Sequence, residues 1–160
     1  MRNIKLLEYS QGKQFLEHYK ADSIENENKY FCCYDYEFST FSEVTIGRLL
    51  FDYQILVYCD FNGDKIENYI VFRVPLLIEK STALTVMIAN ITDSEFVNEV
   101  FELVKAKFKN MGWSKITLCC LRYQLTDNMK NFINNTQLKE EIVIHSKKSE
   151  LDRINYSMVF

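Results

Sequence analysis

The chain reads as an α/β domain: a mixed, mostly antiparallel sheet of about six to seven strands, with a central parallel pair and helices on both faces. Three stretches lead to this. Thr82–Ile91 is an almost wholly apolar strand that runs into the amphipathic helix Ser94–Met111 and then a second buried strand, Lys115–Leu121. A strand–helix–strand crossover of that kind returns parallel to its start. The segment Gln54–Val74 reads as a hairpin turning at Asn62-Gly63, and the last twenty residues read as another.

From the start, Ile4–Tyr9 is expected as a strand, followed by a helix from Gly12 to about Ala21 with Phe15, Leu16 and Tyr19 on one face. Residues 22–54 are hard to place. They are rich in aromatics (Tyr30, Phe31, Tyr34, Tyr36, Phe38, Phe41), with a short helix near Glu43–Phe51. In the hairpin, Asn-Gly tolerates the positive φ of a two-residue turn. Pro75 cannot donate to a ladder and marks an edge or a bulge. Thr82–Ile91 should be buried on both faces.

The helix Ser94–Met111 places Phe96, Val97, Val100, Phe101, Val104, Phe108 and Met111 on one stripe. Asp93 or Ser94 suits its N-cap, and Gly112 ends it. A shorter helix follows over about Thr126–Thr136. EIVIHS, the polar loop KKSELDR and INYSMVF close the chain. The order is β-α-(α)-β-β-β-α-β-α-β-β.

A chain of 160 residues with 48% apolar and 26% charged side chains suits one domain, 1–160, with a core of its own. No run of about 20 apolar residues suggests a membrane span. The first residues lack a signal-peptide pattern, so a cytoplasmic protein is expected. The five cysteines (Cys32, Cys33, Cys59, Cys119, Cys120) include two adjacent pairs, whose side chains point to opposite faces of a strand. Buried thiols are expected, and no metal site. Net charge is −3, divided unevenly: residues 1–100 hold 16 acidic and 9 basic side chains, and residues 101–160 hold 6 and 10. Asp22, Glu25, Glu27, Asp35, Glu37 and Glu43 form an acidic stretch that can attract a cationic amine. Nothing resembles a basic, aromatic-interleaved nucleic-acid surface.

The element order is similar to that of the GNAT superfamily of acyl-CoA-dependent N-acyltransferases. Lys115–Glu141 resembles the family's fifth strand, its Asn-containing turn, the next helix and a "GF-x-E-E" close. Here that close is Gln137–Glu141, with Leu138 in the aromatic's place, and YSMVF resembles the last strand. The resemblance implies acetyl-CoA or another acyl-CoA as cosubstrate. It implies an amine of a small molecule or peptide as acceptor, with residues 22–54 on the acceptor side. A homodimer is the expected assembly. A second possibility is a catalytically lapsed binding or regulatory domain, and a third a structural partner protein with no such ligand.

In the family, backbone amides where two parallel strands splay hold the thioester; here they would be Ile88, Ala89, Asn90 and Ile91. The family's pyrophosphate loop, (Q/R)-x-x-G-x-(G/A), falls on Thr92–Val97, so Ser94, Glu95, Phe96 and Val97 are cofactor-binding candidates, with Asn128 from the later turn. Glu95 and Val97 stand where glycine is expected, and Asp93 and Glu95 add negative charge where a diphosphate would sit. The anion donors left are Ser94 and the free amides of the helix start. The family's acid tyrosine falls on Ile133, which leaves Tyr123 or Tyr156 as substitutes, Tyr123 being nearer the strand end. Glu67, or Glu79, is the available general base. His18 and His145 are too few and too far apart for a metal site.

Overall fold

The computed structural model describes residues 2–25, 29–33 and 41–160. Within them the chain forms β1 (Ile4–Leu6), α1 (Gly12–Glu25), β2 (Tyr30–Cys32), α2 (Glu43–Phe51), β3 (Ile55–Asn62) and β4 (Lys65–Arg73). These are followed by β5 (Ala83–Asn90), α3 (Ser94–Phe108), β6 (Lys115–Leu121), α4 (Asp127–Asn135), β7 (Lys139–Ile144) and β8 (Arg153–Val159). The strands make one sheet in the order β1-β3-β4-β5-β6-β8-β7, with β2 joined to β5 beside that path. β5 and β6 are parallel; the other pairs are antiparallel.

Side-chain parity along β4 explains helices on both faces. Tyr69 points to α1, meeting the Phe15 ring edge-on at 5.3 Å. Phe72, of opposite parity, meets Phe101 of α3 at 6.1 Å. Both are fully buried. α4 lies beside α3, where the Asn98 side chain donates to the Asn135 carbonyl at 3.0 Å.

Local chemistry shifts several expected boundaries. β1 stops at Leu6 because Glu8 and Gln11 close a capping box around a short 3-10 turn, with Glu8 N–H donating to Gln11 Oε1 at 3.0 Å. α1 runs to Glu25 rather than Ala21. The hairpin turn is Gly63-Asp64, since Asn62 pairs with Lys65, and only Gly63 takes a positive φ, 62°. A glycine at the first turn position is what a type II′ turn needs. β4 ends at Arg73, two residues before Pro75, so that proline follows the strand instead of interrupting it. α3 ends at Phe108 and continues as a 3-10 turn to Met111, stopped at Gly112 with φ 84°. Among the described residues the strand count is eight, because β2, inside the hard-to-place stretch, adds one. Tyr34, Tyr36 and Phe38 of that stretch, with Glu27, Asp35 and Glu37 of the acidic run, lie outside the described residues.

Candidate active site

β5 has two dissimilar halves. Its first half pairs in parallel with β6, Ala83 opposite Lys115 through Val86 opposite Leu118. There the pairing stops, although β5 continues to Asn90 and β6 to Leu121. β6 stays with β8, Leu121 facing Arg153, and so turns away from β5. On its other side β5 carries a bulge: Val71 faces Ile88 but Phe72 faces Val86, leaving Met87 as the extra residue. The bulge bends β5 at the point where it parts from β6. The result is a V whose left arm is the peptide edge of residues 87–91.

Strand β2 sits in that V. Tyr30 faces Asn90, Phe31 faces Ala89 and Cys32 faces Ile88. Cys33 N–H donates to the Met87 carbonyl at 2.8 Å, and Ile91 N–H to the Lys29 carbonyl at 2.9 Å. On the β6 side, the Gln124 side-chain amide donates to the Cys32 carbonyl at 3.0 Å, while its oxygen accepts Leu121 N–H at 2.9 Å. Side chains add to the seat. Phe31 is buried, the Tyr30 ring stacks on Tyr69 at 4.5 Å, and the Tyr19 hydroxyl lies 3.8 Å from the Cys32 sulfur. Burying a phenylalanine contributes about 1.5–3 kcal/mol, a large share of what holds so short a strand. Burial pushes the Tyr30 phenol far above its ordinary range, so it is neutral there.

The turn after β5 is a closed polar network. Asn90, 2% exposed, donates to Asn68 Oδ1 at 2.6 Å and accepts both the Thr92 N–H (3.0 Å) and the Thr92 hydroxyl (2.7 Å). Asp93 is the N-cap of α3: its Oδ1 accepts Phe96 N–H at 3.0 Å. Arg2 grips the same carboxylate with its two terminal guanidinium nitrogens, at 2.8 and 3.0 Å. Glu99 at 3.4 Å, Asp60 at 3.8 Å and Glu95 at 3.9 Å surround that guanidinium. Burial alone would raise the Asp93 carboxyl. The Arg2 hydrogen bonds and the Phe96 amide outweigh it and hold the group below its ordinary value. An internal carboxylate thus takes the place at the helix start where an external anion would bind.

The sequence-predicted candidates divide accordingly. Ile88, Ala89 and Asn90 lie beneath β2, with side chains 0, 0 and 2% exposed, and Ile91 gives its N–H to Lys29. Phe96 and Val97 turn their side chains wholly into the core, so neither obstructs the helix start, although Phe96 N–H is taken by Asp93. Ser94 is half-buried and Glu95 exposed, on the first turn of α3. Asn128 is exposed on the first turn of α4.

Tyr123 is 59% exposed in the 3-10 turn after β6, next to the Gln124 that touches β2. Glu67 is the extra residue of a bulge near the hairpin tip, where its carboxylate accepts from the Asn62 side chain at 2.8 Å. β5 and β2 separate the strand bearing Glu67 from the turn bearing Tyr123, so the structure does not bring the two together. Ile133 is buried core, and Tyr156 is buried in β8, its phenol raised by burial. Glu79 lies beyond the far end of β4, bonded to Arg73 and to Leu76 N–H, and is held below its usual range. His145 is exposed and paired with Asp152 at 3.2 Å. Among the described residues no group of three His, Cys, Asp or Glu is placed to hold a metal ion.

Two features have no signal in the sequence. Arg2 stands 91 residues from Asp93, and no local pattern links them. Residues 29–33 read as unassigned loop, because three residues show no periodicity. A surface cavity of 780 Å³ is at the other end of β5, lined by Gln54, Val74, Pro75, Leu76, Thr82 and Trp113, and does not touch the V.

An acyl-CoA would meet two parts of this geometry. The 87–91 edge bonds an extended chain, which is the form of a pantetheine arm, and β2 now uses those bonds. The turn offers the Ser94 and Glu95 amides to a diphosphate, but sets Asp93 and Glu95 beside it.

No protein-family model matches the chain, and no curated protein sequence does. Solved structures do match over almost its whole length. A probable acetyltransferase from Staphylococcus epidermidis superposes with a TM-score of 0.72 at 12% identity, covering 99% of both chains. An acetyltransferase of the GNAT family from Streptococcus pneumoniae superposes with a TM-score of 0.71 at 9% identity, covering 100% of both. The microcin C7 self-immunity acetyltransferase, solved in complex with acetyl-CoA and AMP, has a TM-score of 0.66 at 14% identity over 98% of this chain and 92% of its own. At such identity the likeness is one of fold, and the fold is that of the GNAT acetyltransferases.

Proposed function

We propose that this GNAT-fold chain is an N-acyltransferase-like protein that moves an acyl group from acetyl-CoA, or another acyl-CoA, to an amine of a small molecule or peptide. One observation supports it above the others: β5 parts from β6 after Val86, at the bulge formed by Met87, and the edge so exposed bonds an extended chain. An acyl-CoA would lie along residues 88–91 with its phosphates toward Ser94–Val97 and Asn128. It would supply the thioester. The acceptor nitrogen attacks the thioester carbonyl, the C–S bond breaks, and the amine proton must leave as the thiolate gains one. Tyr123, exposed in the turn after β6, would give the thiolate its proton. Glu67, at the hairpin tip, is the weaker base candidate, since it already accepts from Asn62.

A second reading has an observation of its own. β2 in the V and the Arg2–Asp93 pair at the helix start suit a lapsed binding or regulatory domain whose slot is permanently filled. Acetyl-CoA calorimetry and thermal shift on the wild type and on a Phe31→Ser chain with a loosened β2 separate the two. Ligand at 100 times its Kd adds about 2.7 kcal/mol of stability. No heat and no shift at millimolar acetyl-CoA in either chain would leave the lapsed domain as the correct reading.

A cytoplasmic site of action and a homodimer belong to the same proposal. None of the five cysteines is in a disulfide, and Cys33, Cys59 and Cys120 are buried. The edge strand β7 exposes Ile142 and Ile144, which supports pairing with a second copy. No helix among the described residues is long and apolar enough to cross a membrane.

A further inference from the structure

We infer that residues 29–33 are a built-in competitor for the acyl-CoA slot: β2 must leave the β5 edge before the edge can hold a ligand. The inference rests on the acyl-CoA reading above and adds the regulation of that same site. Three observations support it. First, β2 occupies the edge with the bonds a pantetheine arm would use, Cys33 N–H to Met87 O and Ile91 N–H to Lys29 O. Second, β2 is three residues long and, among the described residues, has a strand partner on one side only; across the V the Gln124 side chain, just after β6, bonds the Cys32 carbonyl, and Cys33 lies near Cys120 of β6. A strand so short and bonded at one edge opens locally far more readily than the sheet around it. Third, β4 holds β5 at Ile70 opposite Ala89 and Val71 opposite Ile88, independently of β2. The slot wall therefore stays in place when β2 leaves.

Competition has a quantitative signature. The apparent Kd of a ligand that needs the open state is its intrinsic Kd divided by the open fraction. Anything that loosens β2 tightens acyl-CoA binding, and anything that locks β2 abolishes it. Cys32 and Ile88 face one another across a pair flanked by the two bonded ones, where Cα atoms are about 4.5 Å apart. That spacing suits a disulfide, so Ile88→Cys supplies a reversible lock.

The test is acetyl-CoA binding by full-length wild type, Gln124→Ala, Phe31→Ser, and Ile88→Cys oxidised and reduced. Gln124→Ala removes the bond to Cys32, along with the one from Leu121 N–H, and keeps the test usable if Phe31→Ser folds poorly. The loosened chains are expected to bind at least about tenfold more tightly than wild type. Oxidised Ile88→Cys should not bind, and reduction should restore binding; wild type given the same oxidant should be unchanged. Amide exchange supplies an independent readout: acetyl-CoA should expose the Cys33 amide while Ile91 stays protected. Equal affinity in wild type, loosened and locked chains would overturn the competition and leave the acyl-CoA reading standing. No binding by any chain, with the Cys33 amide exchanging freely in the loosened ones, would overturn that reading and this inference with it.

Discussion

The two halves of β5 are made of similar residues and held in different ways. Leu84 and Val86 in the first half, Ile88 and Ala89 in the second, are all 0% exposed. The first half lies between β4 and β6, strands of nine and seven residues that are themselves paired on their other sides. The second half lies between β4 and β2, a strand of three residues. Equal burial therefore does not mean equal permanence. Burial in the first half comes from elements that cannot leave without unfolding the sheet, and in the second from a segment that can leave alone.

The largest effect should fall in the first half. Leu84→Ala is expected to cost about 2–5 kcal/mol in urea denaturation, the range for a fully buried leucine. Phe31→Ala removes a larger side chain and is expected to cost less, under about 2 kcal/mol, because local opening bypasses it. A loss of about 3–5 kcal/mol for Phe31→Ala, as in an ordinary core, would make β2 a permanent strand.

Next comes the turn beyond the second half. Asp93→Ala removes the α3 cap and leaves the Arg2 guanidinium among the remaining carboxylates without its closest partner. A loss of about 2–3 kcal/mol is expected by chemical denaturation, from the cap together with the charge-assisted bonds. A negligible loss would show that the network is ornamental and that the turn is free to rearrange around an anion.

The pH dependence gives a smaller, signed effect. Asp93 is held below its ordinary value in the folded chain, so the unfolded chain binds the proton more readily. Its stabilisation is present above about pH 4, the unfolded carboxyl's value, and is lost as the pH falls through the folded one. Urea midpoints of wild type and Asp93→Asn should therefore differ most near pH 7 and converge on acidification. A difference that grew toward low pH would contradict the assignment.

The smallest effect belongs to Glu95. Its side chain is 89% exposed, with Arg2 at 3.9 Å as an ion-pair partner. Glu95→Gln should change stability by less than about 0.5 kcal/mol. It should tighten acetyl-CoA binding by no more than about fivefold, through the removal of roughly 1 kcal/mol of repulsion that salt also screens. The two acidic residues of the turn are thus unequal. Glu95 can be replaced without structural cost, whereas Asp93 holds the helix start together.

Particular residues show what could be read in advance. The α3 stripe from Phe96 to Phe108 was legible because a period of 3.6 repeats over four turns, and every predicted residue of it up to Phe108 is buried. The β3–β4 hairpin was legible because glycine marks the turn, although pairing moved the turn one residue along, to Gly63-Asp64. Glu67 reads as a base because it is a carboxylate on a middle strand; nothing in its spacing shows that a bulge and Asn62 engage it.

Elements with long periods or strong punctuation could be read from the residues alone: the apolar β5, the amphipathic α3, the buried β6 and the hairpins. From these follow the parallel pair and the resemblance to a known fold, because each signal is local and repeated. That β8 lies between β6 and β7, that Arg2 closes on Asp93, and that residues 29–33 occupy the V emerges with the assembled sheet. Those choices depend on which unsatisfied backbone edge or charge a segment meets once the sheet exists. A three-residue strand or a single arginine has no period from which its distant partner can be read.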